Sequence, residues 1–201
     1  MAPHPQNTPP GTVDTRAWAG LCAALAAASG AVWKADQAEV WAWHAQAGPT
    51  QAWRLWTAAL APDSGIALAA AVIALLVLAV LGAWLDAGGR AVASVLLAWP
   101  LGTEALALWP AITTHGGLSG LACSMWAVLG VHATRQDGTR RIGAVLLVML
   151  AAKLLTDQAW LRPIGYDPDW GENLHYAAHL SGALAGTVCA LVLRAGATAK
   201  R

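Results

Sequence analysis

Two short runs carry residue types that do chemistry together. Gly117-Leu118-Ser119-Gly120 sets a serine in a glycine-flanked turn that opens one apolar segment. Ala178-His179-Leu180-Ser181-Gly182 sets a histidine inside another. A serine hydroxyl is a weak nucleophile until a base takes its proton, and imidazole suits that task near neutral pH. Ser119 would attack a peptide carbonyl while His179 accepts its proton. A serine at a helix start also lies among backbone N–H groups with no intrahelical partner, at the positive end of the helix dipole. The N–H groups of Leu118 and Ser119 are suited to hold the oxyanion of a tetrahedral intermediate. Each residue has a plainer reading beside this one. Ser119 would be a helix N-cap, and His179 a structural hydrogen bond between helices.

The elements that must position this pair are apolar helices. Of the 201 residues, 57% are hydrophobic and 11% charged, against about 25% charged in a soluble domain. Runs long enough, or nearly so, to cross the roughly 30 Å hydrocarbon core fall at residues 17–33, 65–85, 91–109, 118–132, 142–155 and 175–193. The expected fold is therefore all-α: a polytopic bundle of six transmembrane helices in a lipid bilayer. It forms one domain over residues 16–195, with a disordered tip at 1–15 and a cytoplasmic tail at 196–201. The first residues lack a basic n-region, so the first apolar segment is expected to be retained. A net charge of +1 gives a nucleic-acid partner no electrostatic support. Cys22, Cys123 and Cys189 all fall in apolar runs and read as small buried hydrophobes.

Charge sets the orientation. With the N-terminus in the cytoplasm, Arg16, Arg90, Arg135, Arg140, Arg141, Arg194, Lys200 and Arg201 lie inside. Lys34, Arg54 and Arg162 lie outside, with Lys153 near the outer end of the fifth span. This satisfies the positive-inside rule and puts both termini in the cytoplasm. The acidic loop bearing Asp157, Asp167, Asp169 and Glu172 falls on the outer face. Ser119 and His179 then share one depth, toward the outer side.

Several polar residues accompany them. Gly182 and Gly186 form a Gly-x-x-x-Gly face after His179, which lets helices approach closely; Gly117 and Gly120 do the same beside the serine. His175 and His179 stand at i and i+4, so both could face one cavity; His175 is expected to line the entrance near the base or to sit at the interface. However, His44, His115 and His132 add no carboxylate or cysteine at ligand spacing, and neither a metal nor a cofactor is expected. Glu104 is an intramembrane carboxylate near Pro100 in the third span. Lys153 and Asp157, at i and i+4, read as an interfacial ion pair. No third carboxylate stands where it would orient His179, so the expected site is a dyad. Residues 34–63 hold Trp41, Trp43, Trp53 and Trp56 and are expected at the interface. Arg54 is placed there to hold the loop through backbone carbonyls.

The chain resembles the rhomboid intramembrane serine proteases over residues 51–193. Three matches carry this: Trp53-Arg54 in the first outer loop, Gly117-Leu118-Ser119-Gly120, and Ala178-His179 with Gly182 and Gly186. The six spans, the short chain and the Lys153–Gln158 segment look more like one branch, the rhombosortases. The resemblance implies Ser119 as nucleophile and His179 as base, in a bacterial inner membrane. It implies substrates that are exported proteins ending in a Gly-Gly-containing transmembrane tail, cut near the Gly-Gly pair. One feature departs from the family. Its usual His-x-x-x-Asn pair at the start of the second span is absent, because residues 67–71 are alanine-rich. Two expectations follow. In one, the backbone N–H groups of Leu118 and Ser119 suffice, with His115 or Asn173 as substitute donors. In the other, the chain is a catalytically silent relative that binds transmembrane clients.

Overall fold

A computed structural model describes residues 15–168 and 171–198. The proposed disordered tip (apart from Thr15), Asp169, Trp170, Lys200 and Arg201 lie outside the described residues. Within them the chain is mostly helical. Its helices are α1 (Arg16–Lys34), α2 (Ala38–Trp41), α3 (Arg54–Thr57), α4 (Gly65–Trp84), α5 (Gly89–Glu104), α6 (Ser119–Ala133), α7 (Arg140–Asp157) and α8 (Tyr176–Thr198). Two antiparallel pairs of short strands, not expected from the sequence, fasten the loops. β1 (Trp43–His44) pairs with β2 (Thr114–His115), and β3 (Gly165–Asp167) with β4 (Glu172–Leu174).

Six long helices stand where six spans are expected, but they are not equivalent. Three stretches are long and apolar enough to cross a membrane: Gly65–Trp84, Gly89–Leu108 and Tyr176–Leu193. Helix α6 is apolar but only 15 residues long, and α7 carries Arg140, Arg141, Lys153 and Asp157 within 18. Alanine-rich α1 also falls short. The C-terminal helix continues to Thr198, past the boundary drawn at 195.

Helix α6 is the centre, touching α4, α5, α7 and α8. Its sequence is apolar on every side, and a helix of that kind is buried all round; Leu121, Met125, Val128 and Leu129 are almost fully enclosed. Helix α4 is more apolar still yet only 17% buried, leaving Ile73, Leu76 and Val80 facing outward. Such a surface suits hydrocarbon rather than water. Inside, α4 is fixed to α1 by Trp18, which is fully buried against Gly82 and donates its Nε1–H to the Leu78 carbonyl at 2.8 Å. Pro100 sits inside α5 without ending it. Cys22, Cys123 and Cys189 are free thiols and buried.

Candidate functional site

Two supports shape the turn before Ser119. The first is the long loop between α1 and α4. Arg54 Nη1 donates to the Ala42 carbonyl at 2.6 Å and the Glu39 carbonyl at 3.4 Å, while Thr57 Oγ1 donates to Trp41 O at 2.9 Å. The Arg54 guanidinium lies 5.0 Å from the centre of the Trp53 ring. The loop so tied holds the serine turn. Gly117 N–H donates to Ala58 O at 2.9 Å, and a Cβ on Gly116 would stand 2.5 Å from Ala61 O. Gly117 does not serve close helix packing as expected, since nothing lies within 4 Å of an added Cβ; its φ of +100° is a conformation that glycine adopts without steric penalty.

The second support is the contact of α6 with α8. A Cβ on Gly120 would stand 2.8 Å from Ala178 O, and one on Gly186 would stand 2.5 Å from Ser124 O. A side chain on Gly182 would collide with the Gly120 carbonyl. The face carrying these glycines on α8 is also the face carrying His179, so close packing of the two helices brings the imidazole alongside the start of α6.

Ser119 does not act as a cap. Leu118 occupies the cap position, with no side-chain cap bond, and Ser119 is the first helical residue. Among the described residues Ser119 makes no side-chain hydrogen bond, and it is exposed. It faces a cavity of about 710 Å³ that His179 also lines, together with Cys123, Lys153, Asp157 and Asn173. Ala67, Ala70, Ala71 and Ala74 of α4 form the facing wall. No hydrogen bond joins Ser119 to His179. Such contacts are often long before substrate is bound.

His179 is buried and held on one side. Its Nδ1 lies 2.8 Å from Asp157 Oδ2 and 3.3 Å from Lys153 Nζ. Lys153 in turn donates to Asp157 Oδ2 at 2.9 Å and Oδ1 at 3.2 Å. The expectation that no carboxylate orients His179 is therefore corrected: Asp157 does so. The Lys153–Asp157 ion pair is present as expected, but it is more than interfacial. The sequence signals for Asp157 are its place at the outer end of the fifth apolar run, at the depth of His179, and its pairing with Lys153 within the Lys153–Gln158 segment.

Other sequence candidates separate. His115 does not reach the large cavity. It lines a small void of about 20 Å³ beside Gly120 and Gly182, with its Nδ1 2.9 Å from His175 Nδ1. His175 thus turns to His115 instead of sharing the cavity with His179. Burial pushes the His115 imidazole down to about 3, aided by the charges of His175 and His179. Burial also lowers His175, with His179 adding to the effect. Asn173 does line the large cavity, on β4. Glu104 is exposed at the end of α5 and lines neither space. His132 bonds the Leu85 and Asp86 carbonyls at the far end of α4. Among the described residues no three His, Cys, Asp or Glu side chains are grouped to hold a metal ion.

Compared with protein-family models and with curated proteins, the chain matches none.

Proposed function

We propose that this chain is an intramembrane serine protease of rhomboid type, in which Ser119 is the nucleophile and His179 the general base. One observation carries the reading. A serine with no side-chain hydrogen bond among the described residues, at the uncapped start of a helix, faces the same cavity as a buried imidazole whose Nε2 is bonded to no described residue. The Ser119 hydroxyl is not spent on a helix cap, and the His179 Nε2 is not spent on any described residue. This arrangement instead leaves a hydroxyl, a basic nitrogen and free backbone N–H groups around one space.

The reaction would proceed as acyl transfer. Ser119 Oγ bonds to the peptide carbonyl carbon as its proton passes to His179 Nε2. The carbonyl oxygen takes the displaced electron pair and is met by the Leu118 and Ser119 N–H groups, with Asn173 as a side-chain donor from the cavity wall. The imidazolium then protonates the leaving amine, and water releases the acyl group by the same path. Substrate would enter from the bilayer, between α4 and α7, which both line the cavity. The proposed setting is a bacterial inner membrane crossed six times, with both termini cytoplasmic and the site toward the outer side. The proposed substrate is an exported protein with a C-terminal Gly-Gly transmembrane tail.

A second reading, a silent binder of transmembrane clients, draws on the alanine wall at Ala67, Ala70 and Ala71. That wall offers no side-chain donor to an oxyanion. A reporter carrying a Gly-Gly transmembrane tail separates the two. Protease action predicts cleavage by the wild type and none by Ser119→Ala. A reporter that co-purifies uncut with the wild type supports the binder, and equal cutting by Ser119→Ala ends the protease reading.

A further inference from the structure

We propose that Asp157, clamped by Lys153, is the positioning residue that sets the tautomer of His179, making the site a triad built from three different helices. The inference rests on the reading of Ser119 and His179 as nucleophile and base, and it adds a third residue that a dyad does without.

Asp157 is the last residue of α7, and His179 lies one turn into α8. Both side chains are nearly closed off, at 10% and 7% exposure, whereas Lys153 is 46% exposed. A surface ion pair would leave its carboxylate in water and contribute little. Here the carboxylate is turned inward and one oxygen is spent on the imidazole. Burying a carboxylate is costly unless it is paired and hydrogen-bonded. Asp157 is both: Lys153 supplies the counter-charge at both oxygens, and the His179 ring supplies an N–H.

The consequence is directional. An ionised carboxylate only accepts, so His179 must carry its proton on Nδ1 to bond Asp157 Oδ2. Nε2 is then a bare lone pair. In the opposite tautomer two lone pairs would oppose each other at 2.8 Å. Asp157 therefore prepares the nitrogen that Ser119 needs. When Nε2 takes the serine proton, the carboxylate stabilises the imidazolium without itself becoming protonated. With Nδ1 protonated, the Lys153 ammonium 3.3 Å from it is a close approach of two donors and not a hydrogen bond; Lys153 acts on the carboxylate, which it keeps ionised, and leaves Nε2 unobstructed.

The test uses the full chain in nanodiscs, with two readouts. The first is the rate at which a fluorophosphonate labels Ser119. The second is the tautomer of His179, read from ¹⁵N-histidine spectra with His179→Gln as the assignment control. Asp157→Asn is expected to slow labelling about 10²–10⁴-fold and to move His179 toward the Nε2–H form, since an amide N–H can donate to Nδ1. Asp157→Glu is expected to restore part of the rate and the Nδ1–H form. Equal labelling and an unchanged tautomer in Asp157→Asn would overturn the proposal and leave the protease reading standing. A wild type that never labels ends the protease reading, while the tautomer still judges Asp157.

Discussion

Gly120 and Gly182 meet backbone to backbone, so that the helix bearing Ser119 and the helix bearing His179 leave no room for a side chain between them. Any side chain on Gly182 strikes the Gly120 carbonyl, and a carbonyl cannot rotate aside as a flexible side chain would.

Gly182→Val is therefore expected to destabilise the fold by about 1–3 kcal/mol as the helices are forced apart. That corresponds to roughly 2–12 °C in melting temperature for a chain of this size. The control is Gly20→Ala in α1, where nothing lies within 4 Å of the added methyl. There the better helix propensity of alanine predicts no loss, or a gain of up to about 1 kcal/mol. Thermal unfolding in detergent measures both.

Arg54 ties the first loop to itself through two backbone carbonyls. Hydrogen bonds from charged groups contribute about 1.5–3 kcal/mol each. Arg54→Ala is thus expected to raise the opened population of the loop about 10–100-fold. Limited proteolysis should show faster cleavage within residues 35–64, with helix content by circular dichroism unchanged. Because that loop also receives Gly117 N–H at Ala58 O, the serine turn should loosen with it.

The His115–His175 contact works only with one Nδ1 unprotonated. Burial holds His115 at about 3, well below its ordinary 6.5. Below pH 6.5 the unfolded chain binds a proton that the folded chain refuses, so stability falls as pH drops. The slope approaches 1.4 kcal/mol per pH unit for one group, and the window closes near pH 3. Replacing His115 with Gln should flatten this part of the pH–stability curve measured by thermal unfolding. A curve unchanged by the substitution would contradict the assignment.

Much of this arrangement could be read from residues alone. The helix limits fall within a few residues of the apolar runs for α1, α4, α6 and α7, because length and apolarity define them directly. Arg54 is found where its planar fork suggested, on backbone carbonyls. The glycines after His179 do form the close face, since small residues at i and i+4 admit a neighbouring backbone. The partner of His179 was not legible. Whether Asp157 reaches it depends on which face α7 turns toward α6 and α8, and α7 meets α6 where Trp126 Nε1 donates to Leu146 O at 2.8 Å and Gly143 closely approaches the Gly130 carbonyl. Spacing within α7 shows the Lys153–Asp157 pair but not which way it faces. The direction of the His175 ring is hidden for the same reason: i,i+4 spacing puts it near His179, while His115, from a strand far away in sequence, decides where the ring turns.

The most direct measurement is fluorophosphonate labelling of the purified full chain in lipid. The account predicts that wild-type protein is labelled at Ser119, that Ser119→Ala is not labelled, and that His179→Ala is labelled at least about 10²-fold more slowly. Labelling of Ser119 at the same rate with and without the His179 imidazole would contradict it.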